Sequence, residues 1–178
     1  MVLCRALVCA RTSRRARPPA VVTRGLVLCG LFTCLPFAAA DLVGVDDPER
    51  AQTNYMLNCQ GCHRHDGAES PDGAVPGMRD FIGHFLSVPG GREFLVQVPG
   101  SANAAISNAE LAELLNWLLQ RISREQLPDA FSPYTETEVA HLRRTPEDDV
   151  VGTRATLVRA IESLDPTSPK LKMMEIPE

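Results

Sequence analysis

Cys59-Gln60-Gly61-Cys62-His63 is the stretch on which the reading of this chain turns. Two thiols at C-x-x-C spacing can each add to one vinyl group of a single haem, leaving two thioether bonds. The adjacent histidine is then placed to bind the iron from one face. A zinc site, a redox dithiol or a hydrolase has no need of a histidine at that point. The run occurs once, so the expectation is one covalent haem c with its iron, held by Cys59, Cys62 and His63. Two rivals use the same letters. A thioredoxin-like dithiol also carries C-x-x-C, but it sits in a βαβ frame, and no strand pattern precedes Cys59. A zinc site needs four ligands, which Cys59, Cys62, His63 and His65 supply only with awkward packing.

The first forty residues have a different chemistry from the rest. They hold Arg5, Arg11, Arg14, Arg15, Arg17 and Arg24, no acidic residue, an apolar run from Leu26 to Leu35, and then Ala38-Ala39-Ala40. That order of basic, apolar and small residues is a secretory signal with cleavage expected after Ala40, and the apolar run is short for a membrane span of roughly 20 residues. Four of the six cysteines leave with residues 1–40, so only Cys59 and Cys62 remain. Six of the 18 Lys and Arg residues leave too, against 22 Asp and Glu that all stay, so the mature chain carries a net charge of about −10. An acidic exported protein is ill suited to nucleic acid or anionic lipid and well suited to docking on a basic patch of a protein partner. The expected location is periplasmic, with no membrane span after cleavage.

Outward from the motif, residues 41–47 read as an exposed arm. Pro48 can open a helix, with Ala51, Tyr55 and Met56 as an inner stripe that ends at the cysteines. Residues 66–77 are rich in Gly, Pro, Asp and Ser and read as a loop. Phe81, Phe85 and Leu86 fit a short helical turn, which Pro89-Gly90-Gly91 breaks. Residues 94–98 alternate weakly, as in a short strand or extended segment. The clearest helix begins at Ser107, whose hydroxyl with Glu110 forms a capping box ahead of Leu111, Leu114, Leu115, Leu118 and Ile122 on one face. Thr135 with Glu138 offers a second box, and a last helix over 149–164 turns Leu157, Val158, Ile161 and Leu164 inward.

These features resemble the small class I c-type cytochromes. The shared elements are a helix with Tyr55 before Cys59, the Cys59–Cys62–His63 run, a proline-containing loop, and a core helix of pattern Leu-x-x-Leu-Leu-x-Trp-Leu ending near residue 122. The resemblance implies an all-α, cytochrome c-like haem domain over 41–125, with 126–178 as a helical extension packing on that domain or on a partner. It implies that the first and last helices of the haem domain cross, bringing Tyr55 near Trp117. It also implies that the Pro76 carbonyl in Val75-Pro76-Gly77-Met78 accepts the His63 N–H and orients the ring, a bond that raises ligand basicity.

One departure bears on the chemistry. The family's second iron ligand is a methionine in Met-Pro shortly before the core helix, and here the position reads Val98-Pro99. His84 and Met78 are the leading alternatives, His65 and His141 remoter ones, and an open iron completes the set. Arg92, after the Gly90-Gly91 turn, can pair with a haem propionate through its planar fork. Trp117, Tyr134 and Asn116 are further polar groups with that reach, Asn116 alternatively toward the loop near Gly100. The function expected is electron transfer between an exported dehydrogenase and a second redox protein, a quinoprotein dehydrogenase or another cytochrome among them, by an electron carrier and not an enzyme. The alternatives are a haem enzyme or a gas- or peroxide-binding protein with an open distal site, and a haem subunit of a larger redox complex.

Overall fold

The computed structural model describes residues 41–164, and the expected signal segment over residues 1–40 and the segment after residue 164 lie outside them. The described residues form seven α-helices and two 3₁₀ turns without a strand. The helices are α1 (Pro48–Asn58), α2 (Gln60–His63), α3 (Gly91–Gln97), α4 (Pro99–Ala102), α5 (Asn108–Ile122), α6 (Glu136–Leu142) and α7 (Val150–Leu164). The 3₁₀ turns are Ile82–Ser87 and Arg124–Gln126. This is an all-α fold, consistent in general terms with a cytochrome c-like arrangement.

The Asp47 side chain caps α1 by accepting from the Arg50 N–H at 2.9 Å, and Pro48 occupies the first turn, where a missing N–H costs nothing. Ala51, Asn54 and Tyr55 face inward. Met56 does not: it is 55% exposed. The Tyr55 and Trp117 rings meet at 5.9 Å between centroids, where α1 packs on α5.

Helix α5 is the central column. Both halves of its capping box form, Ser107 Oγ accepting from the Glu110 N–H and the Glu110 carboxylate accepting from the Ser107 N–H. Its polar members are buried with its leucines because each is satisfied by backbone. Asn116 Nδ2 donates to the carbonyls of Gly44 and Tyr134, and Asn116 Oδ1 accepts from the Tyr134 N–H. A propionate or the loop near Gly100 is therefore not its partner.

The segment 41–47 differs from an exposed arm. Gln120 bonds both polar backbone groups of Val43, and the Glu113 carboxylate accepts from the N–H groups of Asp46 and Asp47. Leu42 and Val45 pack against the core. The polar side chains of α5 hold this stretch, and its own apolar content gives little sign of it.

Residues 94–98 are helical at 94–97 as part of α3, not a strand. An alternation over five residues does not separate the two periods, and no second strand exists among the described residues to pair with it. Gly90 adopts φ 84°, which an L side chain resists. A Cβ on Gly91 would lie 2.0 Å from the Phe85 carbonyl oxygen, so the two glycines let α3 start tight against the preceding turn. Phe94 then stacks on Phe85 at 5.4 Å.

The described part of the extension packs on these elements. Thr135 caps α6 through the Glu138 N–H, but the Glu138 carboxylate leaves the cap for Arg92, so only half of that box forms. Arg143 donates to the carbonyls of Ala102, Ala104 and Ile106. Helix α7 buries Leu157, Val158 and Ile161 against Phe81, Phe85, Val88 and Phe94. Leu164 ends the helix 62% exposed, and the inward position one turn before Leu157 is taken by Arg154.

Candidate functional site

Cys59 and His63 come together because α1 stops at Cys59 and a single turn, α2, begins at once. The N–H groups of Cys62 and His63 both donate to the Cys59 carbonyl, at 3.1 and 2.9 Å. The Tyr55 hydroxyl locks the far side of that turn, donating to the carbonyls of Arg64 at 2.6 Å and His63 at 3.3 Å. Arg64 leaves the turn at φ 58°, a left-handed conformation that this anchorage holds in place.

Cys59, Cys62 and His63 border an apolar pocket of about 380 Å³, within the range of sites that take small molecules and cofactors. Its walls come from five parts of the chain: Val75, Pro76 and Met78 of the loop, Phe81 with Ile82 and Phe85 of the 3₁₀ turn that follows it, Phe94, Leu95, Val98 and Pro99, five leucines of α5, and Val150 with Arg154 of α7.

Both cysteines are free thiols, Cys59 half-buried and Cys62 exposed. Burial, then the neighbouring Cys62, pushes the Cys59 thiol up to about 11. Burial holds the His63 pKa below its usual value, which keeps the imidazole neutral and its lone pair available, while the Pro76 carbonyl acts in the opposite direction. That carbonyl does not close a hydrogen bond, since Nδ1 is buried and without a partner. A buried ring nitrogen left unpaired is costly, and its residue lines the same apolar cavity as the two free thiols. These residues fit a haem.

The remaining sequence-derived residues divide. Pro76 and Met78 line the pocket. Met78 is fixed by its own backbone, its N–H donating to Gly67 at 2.7 Å and its carbonyl accepting from Phe81 and Ile82. His84 is not among the lining residues; its ring meets the edge of Phe81 at 5.9 Å. Arg92 is committed elsewhere, to both Glu138 carboxylate oxygens at 2.5 and 2.8 Å and to the carbonyls of Ser132 and Pro133. Its guanidinium also lies 4.0 Å over the Tyr134 ring, and the Tyr134 hydroxyl donates to the Arg92 carbonyl. Arg92 therefore braces α6 against α3 and does not line the pocket. His65 and His141 are exposed and stand outside the lining.

No group of three or more His, Cys, Asp or Glu side chains that could hold a metal ion occurs among the described residues, which removes the four-ligand zinc reading. The thioredoxin-like reading goes too, since no strand flanks the motif among those residues. No described helix is long and apolar enough to cross a membrane. Sequence reasoning misses Arg154 as a lining residue, although a cation one turn before the inward-facing Leu157, Val158 and Ile161 is a signal for it.

The fold and pocket together describe a helical protein built around an apolar cavity edged by C-x-x-C-H. The chain is 29% identical over 103 residues to cytochrome c-552 of Thermus thermophilus, covering 48% of this chain and 78% of that protein. It is likewise 29% identical over 103 residues to a cytochrome c-552 from a named strain of the same species, covering 69% of that one. This distant homology points to the c-type cytochromes at large and does not single out a subclass. No family model matches the chain, and no solved structure matches it.

Proposed function

We propose that the chain carries one covalent haem c and serves as an electron-transfer protein of the periplasm. Cys59 and Cys62 would hold the group through thioethers, and His63 would hold its iron. Bound there, the group supplies a one-electron ferric–ferrous couple. The observation that carries the proposal is the convergence of Cys59, Cys62 and His63, both cysteines free, on the rim of one apolar cavity.

The chain's own residues supply the rest. Tyr55 fixes the backbone that leaves His63, at the carbonyls of His63 and Arg64, which limits how far the ring can swing. Pro76 supplies a carbonyl that acts on the imidazole and favours its N–H. The leucines of α5 and the phenylalanines of α3 and the 3₁₀ turn exclude water, which favours the less charged ferrous form and limits reorganisation. An exported dehydrogenase would be the donor, a quinoprotein dehydrogenase or another cytochrome being partners of the right kind.

One observation favours a second reading, a haem protein with an open distal site that binds peroxide or a gas. Val98 and Pro99 line the pocket where the family's Met-Pro would stand, and among the described residues Met78 is the one lining side chain besides His63 with a thioether or imidazole. Mass and absorbance of the purified exported protein test both. One haem mass and a Soret band are expected, and their absence would refute the proposal. Low-spin ferrous bands unmoved by carbon monoxide support the carrier. High-spin bands that shift with carbon monoxide support the open site.

A further inference from the structure

We propose that Arg154, contributed by α7 of the C-terminal extension, is the carboxylate-binding residue of the pocket. It lines the cavity and is only 8% exposed. Its companions on the same helix face, Leu157, Val158 and Ile161, are buried hydrocarbons. Among the described residues no carboxylate lies within ion-pair distance of its guanidinium, and no acceptor takes a hydrogen bond from it. Its one electrostatic neighbour among them is the Phe81 ring, 5.9 Å away.

The two part-buried arginines among the described residues, Arg92 and Arg143, are partnered, and so is the more exposed Arg50. Arg50 forks Glu113, Arg92 forks Glu138, and Arg143 reaches three backbone carbonyls and Asn108. Burial pulls the Arg154 pKa below its usual value with nothing set against it, although a guanidinium stays charged in proteins. A buried cation is tolerated when a counter-charge and hydrogen bonds meet it. The planar fork of arginine matches a carboxylate with two parallel bonds. The partner must therefore arrive with the molecule that fills the cavity. This inference rests on the haem reading, and a haem would supply two propionate carboxylates. A small free carboxylate entering the pocket has the same chemistry and is the other source. Either way, the extension completes the site.

The test compares full-length holoprotein with Arg154→Met, which keeps much of the volume and removes the charge, and Arg154→Lys, which keeps the charge and removes the fork. Urea unfolding and the affinity of the ferric protein for formate are both read. If the partner is the haem's own carboxylate, Arg154→Met lowers the urea midpoint without added anion, because that carboxylate loses its counter-charge. Arg154→Lys then falls between the two, and formate affinity stays within twofold. If the partner is a free carboxylate, Arg154→Met weakens formate binding at least tenfold, and the midpoint drops relative to the parent only with formate present. A midpoint raised by Arg154→Met with formate affinity unchanged marks a lone buried charge relieved by its removal, and it overturns the inference. Should Arg154→Met fail to fold, Arg154→Lys decides: no change in midpoint or formate affinity overturns it. A wild-type mass without haem sinks the haem reading and this inference together, whereas haem present with a raised midpoint sinks this inference alone.

Discussion

At the residue scale, the two thiols of the motif differ although they lie three positions apart. Cys62 is exposed, whereas Cys59 is half-buried with its thiol pushed up to about 11 by burial and then by Cys62. Before cofactor attachment, Cys59 is therefore a protonated, poorly reactive thiol at neutral pH, since the thiolate is the nucleophile. Iodoacetamide treatment of the haem-free chain, read by peptide mass, is expected to label Cys62 first and Cys59 well behind it. Equal rates would contradict the burial argument. The raised pKa also sets a sign for stability. The folded haem-free chain holds the Cys59 proton more tightly than the unfolded one, so this contribution is full below pH 9 and is lost as pH rises toward about 11. Tyr55 gives a second expectation. Tyr55→Phe keeps the ring contact with Trp117 and deletes the bonds to Arg64 and His63. It should cost about 1 kcal/mol in urea unfolding. The motif and Tyr55 were legible in the sequence because they are local. The commitment of Arg92 to Glu138 and the isolation of Arg154 were not, because both depend on which helices meet.

At the element scale, α5 was legible because three independent signals agree on it: a capping box, a 3.6-residue apolar period and a length of 15 residues. Residues 94–98 carried a single weak signal, five residues of alternation, and the surrounding packing made the segment helical. The docking of 41–47 was hidden for a different reason. Its anchor is Glu113, a buried carboxylate on a helix whose sequence reads as mostly apolar. Glu113 Oε1 accepts from the N–H groups of Asp46 and Asp47 at 3.0 and 2.8 Å, and its carboxylate is forked by Arg50 at 2.8 and 2.9 Å. Glu113→Gln keeps the shape and removes the charge. It should destabilise the protein by about 1.5–3 kcal/mol, the range for hydrogen bonds to a charged group. Hydrogen exchange should speed up at Asp46 and Asp47. A variant as stable as the parent would mean that the arm holds by its apolar contacts alone.

At the scale of the whole molecule, the described extension is structurally continuous with the rest. Tyr134 and Val139 belong to the same core cluster as Tyr55, Trp117 and the α5 leucines. Leu157, Val158 and Ile161 close a second cluster around Phe81, Phe85 and Phe94. Those five buried side chains are each worth about 1.5–3 kcal/mol relative to exposure. Their sum is on the scale of the whole stability of a small domain, about 5–15 kcal/mol. Truncation after Leu127 would remove them and leave the phenylalanine cluster facing water. It would also leave both carbonyls of residues 102 and 104 without the Arg143 donors, and Asn116 without Tyr134. The truncated chain is expected to lose cooperative thermal unfolding and to bind an apolar dye, even where haem is attached through Cys59 and Cys62. Circular dichroism at the α-helical minimum against temperature reads this directly. A sharp transition within a few degrees of the parent's would show that residues 41–127 close a core of their own, and the extension would then be an addition to the domain and not one of its walls.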